Sequence, residues 1–434
     1  MTKDDDLYNE YIEILKSELV PAMGCTEPIA LAYAAAKLKD ILGFIPEKTV
    51  LEVCGNIIKN VKSVVVPQTN GLKGIPAAIS AGYFANDSSL ELEVLTSLEQ
   101  TKLSEVKAYI LKNNIDIIPS KSDLKFYIDI KGIYKNHEAR VVIANKHTNI
   151  VLMQYDGKNI FEANQLQEEK NNRNYDKLNI KDIVEFVDCL DVNDLRDVLE
   201  RQIRYNLAIA EEGLKNNYGA NIGKVLLDNY PNTPALKARA YAAAASDARM
   251  SGCALPVIIV SGSGNQGITA SLPVYVYAKE ENKSEELMLK ALALSDLVTL
   301  DQKRGIGRLS AFCGATCAGV GAATGIAYLE GGNYETISHT IVNALAIISG
   351  MVCDGAKPSC AAKISAAIDS GIFGYYMYKH NEEFLDGEGL VTKGVDHTID
   401  NVCQMARLGM CQTDEEILKI MVSNKNIQKS DEKC

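Results

Sequence analysis

The strongest constraint on the fold is a change of period along the chain. From Ile180 onward, apolar residues recur at helical spacing almost throughout, with long amphipathic runs over Leu195–Leu214 and Pro234–Met250. Between about Leu90 and Val151 the period is different. Leu124–Lys131, Ala139–Ala144 and Ile150–Tyr155 are rich in β-branched and aromatic residues, with polar turns such as Lys135-Asn136-His137 between them. They predict an antiparallel sheet, with a helix near Leu98–Lys112. Upstream, helices are expected over Leu7–Val20, ended by Pro21, and from Pro28 to Leu42, stopped by Gly43. Strands at Thr49–Cys54 and Val64–Val66 follow, then a short helix at Ile75–Phe84. The polar run Glu168–Asp176 is a linker. The expected fold class is α+β, a mainly helical catalytic body with an inserted β-rich domain. Its division is 1–90 (N-terminal part of the body), 91–178 (insert) and 179–434 (C-terminal part of the body).

Charge and cysteine usage narrow the function. A net charge of −11 argues against nucleic acid or an anionic membrane as a partner. The acidic start Met1-Thr2-Lys3-Asp4-Asp5-Asp6 has no apolar run behind it and is not a secretory signal. Two stretches, Ala254–Ala278 and Ala311–Leu329, carry no charge. The first is broken by Ser261–Gly267, and the second is too rich in small residues for a membrane span. Both are expected to be packed interior. Eleven cysteines without a regular frame in 434 residues point to free thiols or a metal site in a reducing cytoplasm.

Several segments carry chemistry. Ser261-Gly262-Ser263-Gly264-Asn265-Gln266-Gly267 fits neither the P-loop nor the dinucleotide pattern. It is either a cradle of backbone N–H groups for a small anion or a plain turn. It also looks like the phosphate loop of pyridoxal-phosphate lyases, with Lys303 as the Schiff-base candidate. In those enzymes the lysine precedes the loop, whereas here it follows. Cys313 and Cys317 share a face of a small-residue helix. Cys353 and Cys360 frame Cys353-Asp354-Gly355-Ala356-Lys357-Pro358-Ser359-Cys360, where the Gly and Pro predict a loop. The chain has no C-x2-C pair of the kind zinc favours. Spacing alone leaves cluster ligands and packing thiols as alternatives. Cys25 lies at a helix start between Pro21 and Pro28, where a thiol pKa is lowered, so it is either a reactive thiolate or a buried turn residue.

Taken together, the segments around Cys25, Gly55–Asn60, Ser261–Gly267, Gly307–Gly314 and Ile348–Cys360 resemble the L-cysteine desulfidases. These are relatives of the iron–sulfur L-serine dehydratase α chain, and the resemblance runs nearly end to end. It implies a [4Fe-4S] cluster on Cys313, Cys353 and Cys360, an open iron for substrate, and Cys25 as base. The reaction implied is β-elimination of L-cysteine to hydrogen sulfide, ammonia and pyruvate. Asn56, Lys59, Ser261, Ser263, Asn265 and Gln266 are the expected substrate-binding residues. The partner is a small amino acid, and a homo-oligomer is open. One departure is Pro67-Gln68-Thr69-Asn70-Gly71, where many members read closer to Pro-Gly-Thr-Gly. Cys434, on the polar tail after Lys429, is either a thiolate cap for the open iron or part of a disordered end. The rival functions are L-serine dehydratase by the same mechanism, a pyridoxal-phosphate lyase on Lys303, and a non-enzymatic thiol- or metal-binding protein. None of the five histidines lies in these segments.

Overall fold

The computed structural model describes residues 1–112, 114–122, 124, 126–163, 175–307 and 309–423. The expected linker falls mostly outside them, as do Arg308 and Cys434. The chain opens with helix α1 (Asp6–Glu18), strand β1 (Pro21–Met23) and helix α2 (Thr26–Leu42). Gly43 ends α2 at φ 77°, a left-handed cap whose N–H reaches Lys39 O. Then come β2 (Lys48–Val53), α3 (Gly55–Val61), α4 (Ile75–Phe84), α5 (Leu103–Leu111) and the strands β3 (Ile115–Pro119), β4 (Tyr127–Tyr134), β5 (His137–Ala144), β6 (Ile150–Tyr155) and β7 (Lys158–Glu162). The helical half comprises α6 (Ile180–Cys189), α7 (Arg196–Lys215), α8 (Ile222–Asn229) and α9 (Pro234–Met250), then a short strand β8 (Pro256–Ile258) and α10 (Gly264–Glu280). It closes with α11 (Glu285–Ile306), α12 (Gly314–Leu329), α13 (Tyr334–Ile348), α14 (Cys360–Lys379), α15 (Val395–Gln404) and α16 (Cys411–Ser423). The expected α+β class with a dominant helical body holds.

The sheet has the order β3-β2-β4-β5-β6-β7, and it is mixed where an antiparallel sheet was expected. Strand β3 pairs parallel with β2, Thr49 opposite Ile115, and the other pairings are antiparallel. The expected strand at Val64–Val66 is only a bridge from Val65 to Lys73. At Gln68 and Asn70, the two positions where the resemblance has glycine, φ is +62° and +53°. That backbone costs a side chain about 1 kcal/mol, and glycine almost nothing.

Two large apolar cores hold most of the buried side chains among the described residues. Leu51, Val53, Ile128, Ile130, Val141 and Ile143 of the sheet pack with Ile29, Leu31 and Leu38 of α2 and Ile79 of α4. Helices α2 to α4, placed in the helical body by the expected division at residue 90, therefore share their core with the sheet. Residues of α1 (Tyr11, Ile14, Leu15) join the second core, which runs from Leu178 to Met410. The uncharged helix α12 lies deep in it. A Cβ on Gly321 would sit 2.3 Å from Thr299 Oγ1, so the small residues allow α11 to close against it. Among the described residues no helix is long and apolar enough to cross a membrane.

Asp296 of α11 is fully buried, accepting from Gln202 Nε2 at 3.0 Å with its second oxygen unpartnered among the described residues. Burial pushes its pKa up to about 7. The folded state therefore binds a proton that the unfolded state has released. The contribution of this group to stability is fully present below about pH 4 and is lost as pH rises toward about 7. Asp296→Asn should remove that share of the pH dependence, leaving the shares of Asp301 and Asp247, whose carboxyls burial also pushes up, and should stabilise the chain at pH 8 by on the order of 2–4 kcal/mol. Urea midpoints at pH 5 and pH 8 check it, since an unchanged pH dependence would show that Asp296 stays ionised in the fold.

Candidate active site

Two short strand pairings assemble the site from segments far apart in sequence. Strand β1 pairs antiparallel with β8, Pro21 opposite Ile258. That sets the turn leading into Cys25 beside the loop leading into Ser261, and Thr26 Oγ1 donates to Gly262 O at 3.2 Å. Farther on, Phe312 bridges Val352. Cys313 N donates to Met351 O at 2.9 Å and Cys353 N to Ala311 O at 2.6 Å, which brings the two cysteines side by side. Cys360 opens α14, its N–H held by Lys357 O at 3.0 Å. Gly355 sits between them at φ 96°, and a Cβ there would meet Lys59 O at 2.5 Å. Only glycine lets this loop close on α3.

The result is one cavity of about 110 Å³. Cys25, Asn56, Lys59, Ser261, Ser263, Asn265, Gln266, Cys313, Cys353 and Cys360, all expected from sequence, line it. Cys317 does not; it lies in the first turn of α12, fully buried in the core. Cys25 is the N-cap of α2, Ser263 of α10 and Cys313 of α12, and none of the three makes a side-chain capping bond. The positive ends of three helices thus meet the cavity with their caps available to something else.

The thiols are not equivalent. The Cys353 thiol is held well below the usual range, chiefly because Cys313 donates an S–H to it and then because the charge of Lys59 faces it. The same hydrogen bond, together with burial, pushes Cys313 well up. The one hydrogen bond thus drives the two thiols in opposite directions. Cys25 behaves in the opposite sense to the helix-start expectation. Burial and then the neighbouring Glu27 carboxylate push its thiol well above the usual value, with Arg249 opposing. Desolvation outweighs the helix dipole here. Cys25 Sγ donates to Glu27 Oε2 at 3.1 Å, the Thr26 hydroxyl shares its one proton between that oxygen at 3.1 Å and Gly262 O, and Asn60 Nδ2 donates to Oε1 at 2.8 Å. Burial works against the Glu27 charge, but His147 and then the hydrogen bonds from Cys25 and Asn60 hold the carboxyl below its usual range.

Buried cations complete the wall. The ammonium of Lys303, 4% exposed, has no hydrogen-bond or ion-pair partner among the described residues. Burial works against its charge, and the thiols of Cys317, Cys353, Cys313 and Cys403 favour it. Lys363 donates to Val352 O at 2.7 Å and to Asp354 Oδ1 at 2.6 Å, beside Cys353. Lys59 is ion-paired with Asp414 of α16, so it reaches the cavity through its charge on Cys353 rather than as a free ammonium. Three cysteines on one cavity, faced by the charges of Lys59 and Lys363 and by Lys303, which has no acid partner among the described residues, suit an anionic group held by thiolates. Among the described residues no three His, Cys, Asp or Glu side chains converge on a single-ion site. A cubane cluster differs in that it spreads its thiolates over separate irons.

Sequence reasoning missed Arg249, Asn60 and His147, and assigned Lys303 to a different chemistry. Arg249 was accessible in principle. Ala238, Ala242, Ala245 and Arg249 repeat at helical spacing on one face of α9, and all four are buried. An arginine continuing an all-alanine buried stripe is a signal. His147 follows β5 and carried no motif, and only the tertiary fold brings it to Glu27.

A family model described as the serine dehydratase alpha chain matches residues 91–419. The chain belongs to that family. A UPF0597 protein of Desulfitobacterium hafniense is 52% identical over 424 residues, covering 98% of this chain and 99% of its own. A UPF0597 protein of Finegoldia magna is 48% identical, covering 95% of this chain and 99% of its own. A third, from Lachnoclostridium phytofermentans, is 45% identical, covering 96% and 100%. The serine dehydratase alpha chain family is a family of lyases and is generally iron–sulfur dependent, which agrees with the expected reaction type and with the thiol-lined cavity.

Proposed function

We propose that the chain is an iron–sulfur lyase that eliminates sulfide from L-cysteine, giving hydrogen sulfide, ammonia and pyruvate. One observation carries this: Cys313, Cys353 and Cys360 line the same cavity as Cys25 and as the loop from Ser261 to Gln266. Cys313, Cys353 and Cys360 would hold a [4Fe-4S] cluster. When bound, its open iron supplies a Lewis acid for the substrate sulfur.

The chain's own residues then have distinct tasks. Cys25 passes its own proton to Glu27 along their hydrogen bond and, as thiolate, takes the proton from the substrate Cα. Glu27 orients that thiol through the 3.1 Å contact, and the Arg249 charge favours its ionised form. Lys303 and Lys363 balance the negative charge of the cysteine set. Ser261, Ser263, Asn265, Gln266 and Asn56 orient the substrate by hydrogen bonds at the cavity wall. Proton removal from Cα and departure of sulfide leave aminoacrylate, which water hydrolyses to pyruvate and ammonia.

L-serine dehydratase is the second reading, and the structure supplies a reason to keep it. Glu27 is ionised in the resting site, but a proton it takes from Cys25 could pass on to a departing hydroxide, with the His147 imidazole also on the cavity wall. Hydrosulfide needs no such acid, and soft iron favours thiolate over a neutral hydroxyl. On the same anaerobically reconstituted enzyme, kcat/KM for L-cysteine should exceed that for L-serine by at least about tenfold, a difference of roughly 1.4 kcal/mol in barrier. Pyruvate formation measures both. A higher value for serine moves the chain to the dehydratase reading.

A further inference from the structure

We infer that Arg249 is the residue that binds the substrate's α-carboxylate, and so confines the site to free amino acids rather than thiols or amines at large. This rests on the lyase reading above and deepens it. Arg249 ends α9, is 2% exposed and lines the cavity. It makes no ion pair with any described residue. Its Nη1 donates to Asn265 Oδ1 at 3.0 Å, while its buried Nε has no partner among the described residues. A buried guanidinium with an unused donor is costly unless something anionic arrives to meet it.

Its placement fits a carboxylate. A Cβ on Gly264 would lie 2.5 Å from Nε and 2.7 Å from Cζ, so the guanidinium lies directly against the first turn of α10. That turn is the positive end of a 17-residue helix whose N-cap, Ser263, makes no side-chain cap bond. A planar fork beside a helix N-terminus is a strong arrangement for a carboxylate, combining paired N–H donors with the helix dipole. The groups that face the Arg249 charge are Cys25, Glu27 and Cys360. A carboxylate held on the fork therefore lies in the part of the cavity that Cys25 and Cys360 also face. Asn265, expected from sequence to bind substrate, acts here by fixing the fork.

The test uses the reconstituted holoenzyme and two thiols that cannot complete the reaction. 3-Mercaptopropionate has the carboxylate and no amine, and 2-aminoethanethiol has the amine and no carboxylate. Binding is measured by calorimetry, with iron content and melting temperature recorded for each variant. Arg249→Gln should weaken 3-mercaptopropionate roughly 10- to 150-fold, the range for a hydrogen bond to a charged group. It should leave 2-aminoethanethiol within about twofold. Unchanged affinity for the acid in an iron-replete variant overturns the inference while the lyase reading stands. If the wild-type holoenzyme binds neither thiol and forms no pyruvate from L-cysteine, the lyase reading itself fails. Should Arg249→Gln not fold, Arg249→Lys decides. It keeps the charge and loses the fork, so the acid-to-amine affinity ratio should drop several-fold, and an unchanged ratio overturns the inference.

Discussion

Cys353→Ser should strip the chain of most of its iron and labile sulfide, and turnover should fall to background. Cys353 carries the most acidic thiol of the cavity, poised by the Cys313 S–H and the Lys59 charge to meet metal as thiolate. Serine keeps the size and the loop but offers an alcohol that stays protonated and is a harder ligand. With one of three ligands gone, a cluster that already has an open iron has too few thiolates to be retained. Cys317→Ser is the control. That residue is fully buried in the core, one helical turn from Cys313, and its loss should leave the iron in place. Iron and sulfide per chain after identical anaerobic reconstitution decide the matter. Full occupancy in Cys353→Ser removes the residue from the ligand set.

Cys25→Ser should give the opposite combination, an iron-replete protein that hardly turns over. A general base contributes a factor of roughly 100 to 10,000, and the serine hydroxyl is a far weaker base than a thiolate. The hydrogen bond to Glu27 can be remade by the hydroxyl, so the fold around α2 is expected to persist. Single-turnover rates on protein of matched iron content measure the effect. Iron loss in this variant would instead make Cys25 a ligand.

How far the chain was legible depended on burial. Helices with one buried face announced themselves. Pro234–Met250 has the same limits in the structure as in the periodicity, because its alanine stripe faces the core. Edge strands did not. Ile115–Pro119 and Lys158–Glu162 are largely exposed, so no inward-facing set imposes an alternation on them. Every expected site residue reached one cavity, because long motifs with unusual glycines mark places where backbone must approach backbone, as at Gly355. Ionisation was not legible. A helix N-terminus lowers a thiol pKa, yet burial and Glu27 reverse the sign at Cys25. The partners that decide the balance, Glu27, His147 and Arg249, come from three elements that only the fold brings together.

The central claim is that Cys313, Cys353 and Cys360 hold a cubane cluster. Metal and acid-labile sulfide analysis of anaerobically purified wild-type protein tests it most directly. The account predicts about four irons and about four sulfides per chain, with oxygen exposure lowering both. Stoichiometric zinc with no labile sulfide, or metal-free protein that still forms pyruvate from L-cysteine, would contradict it.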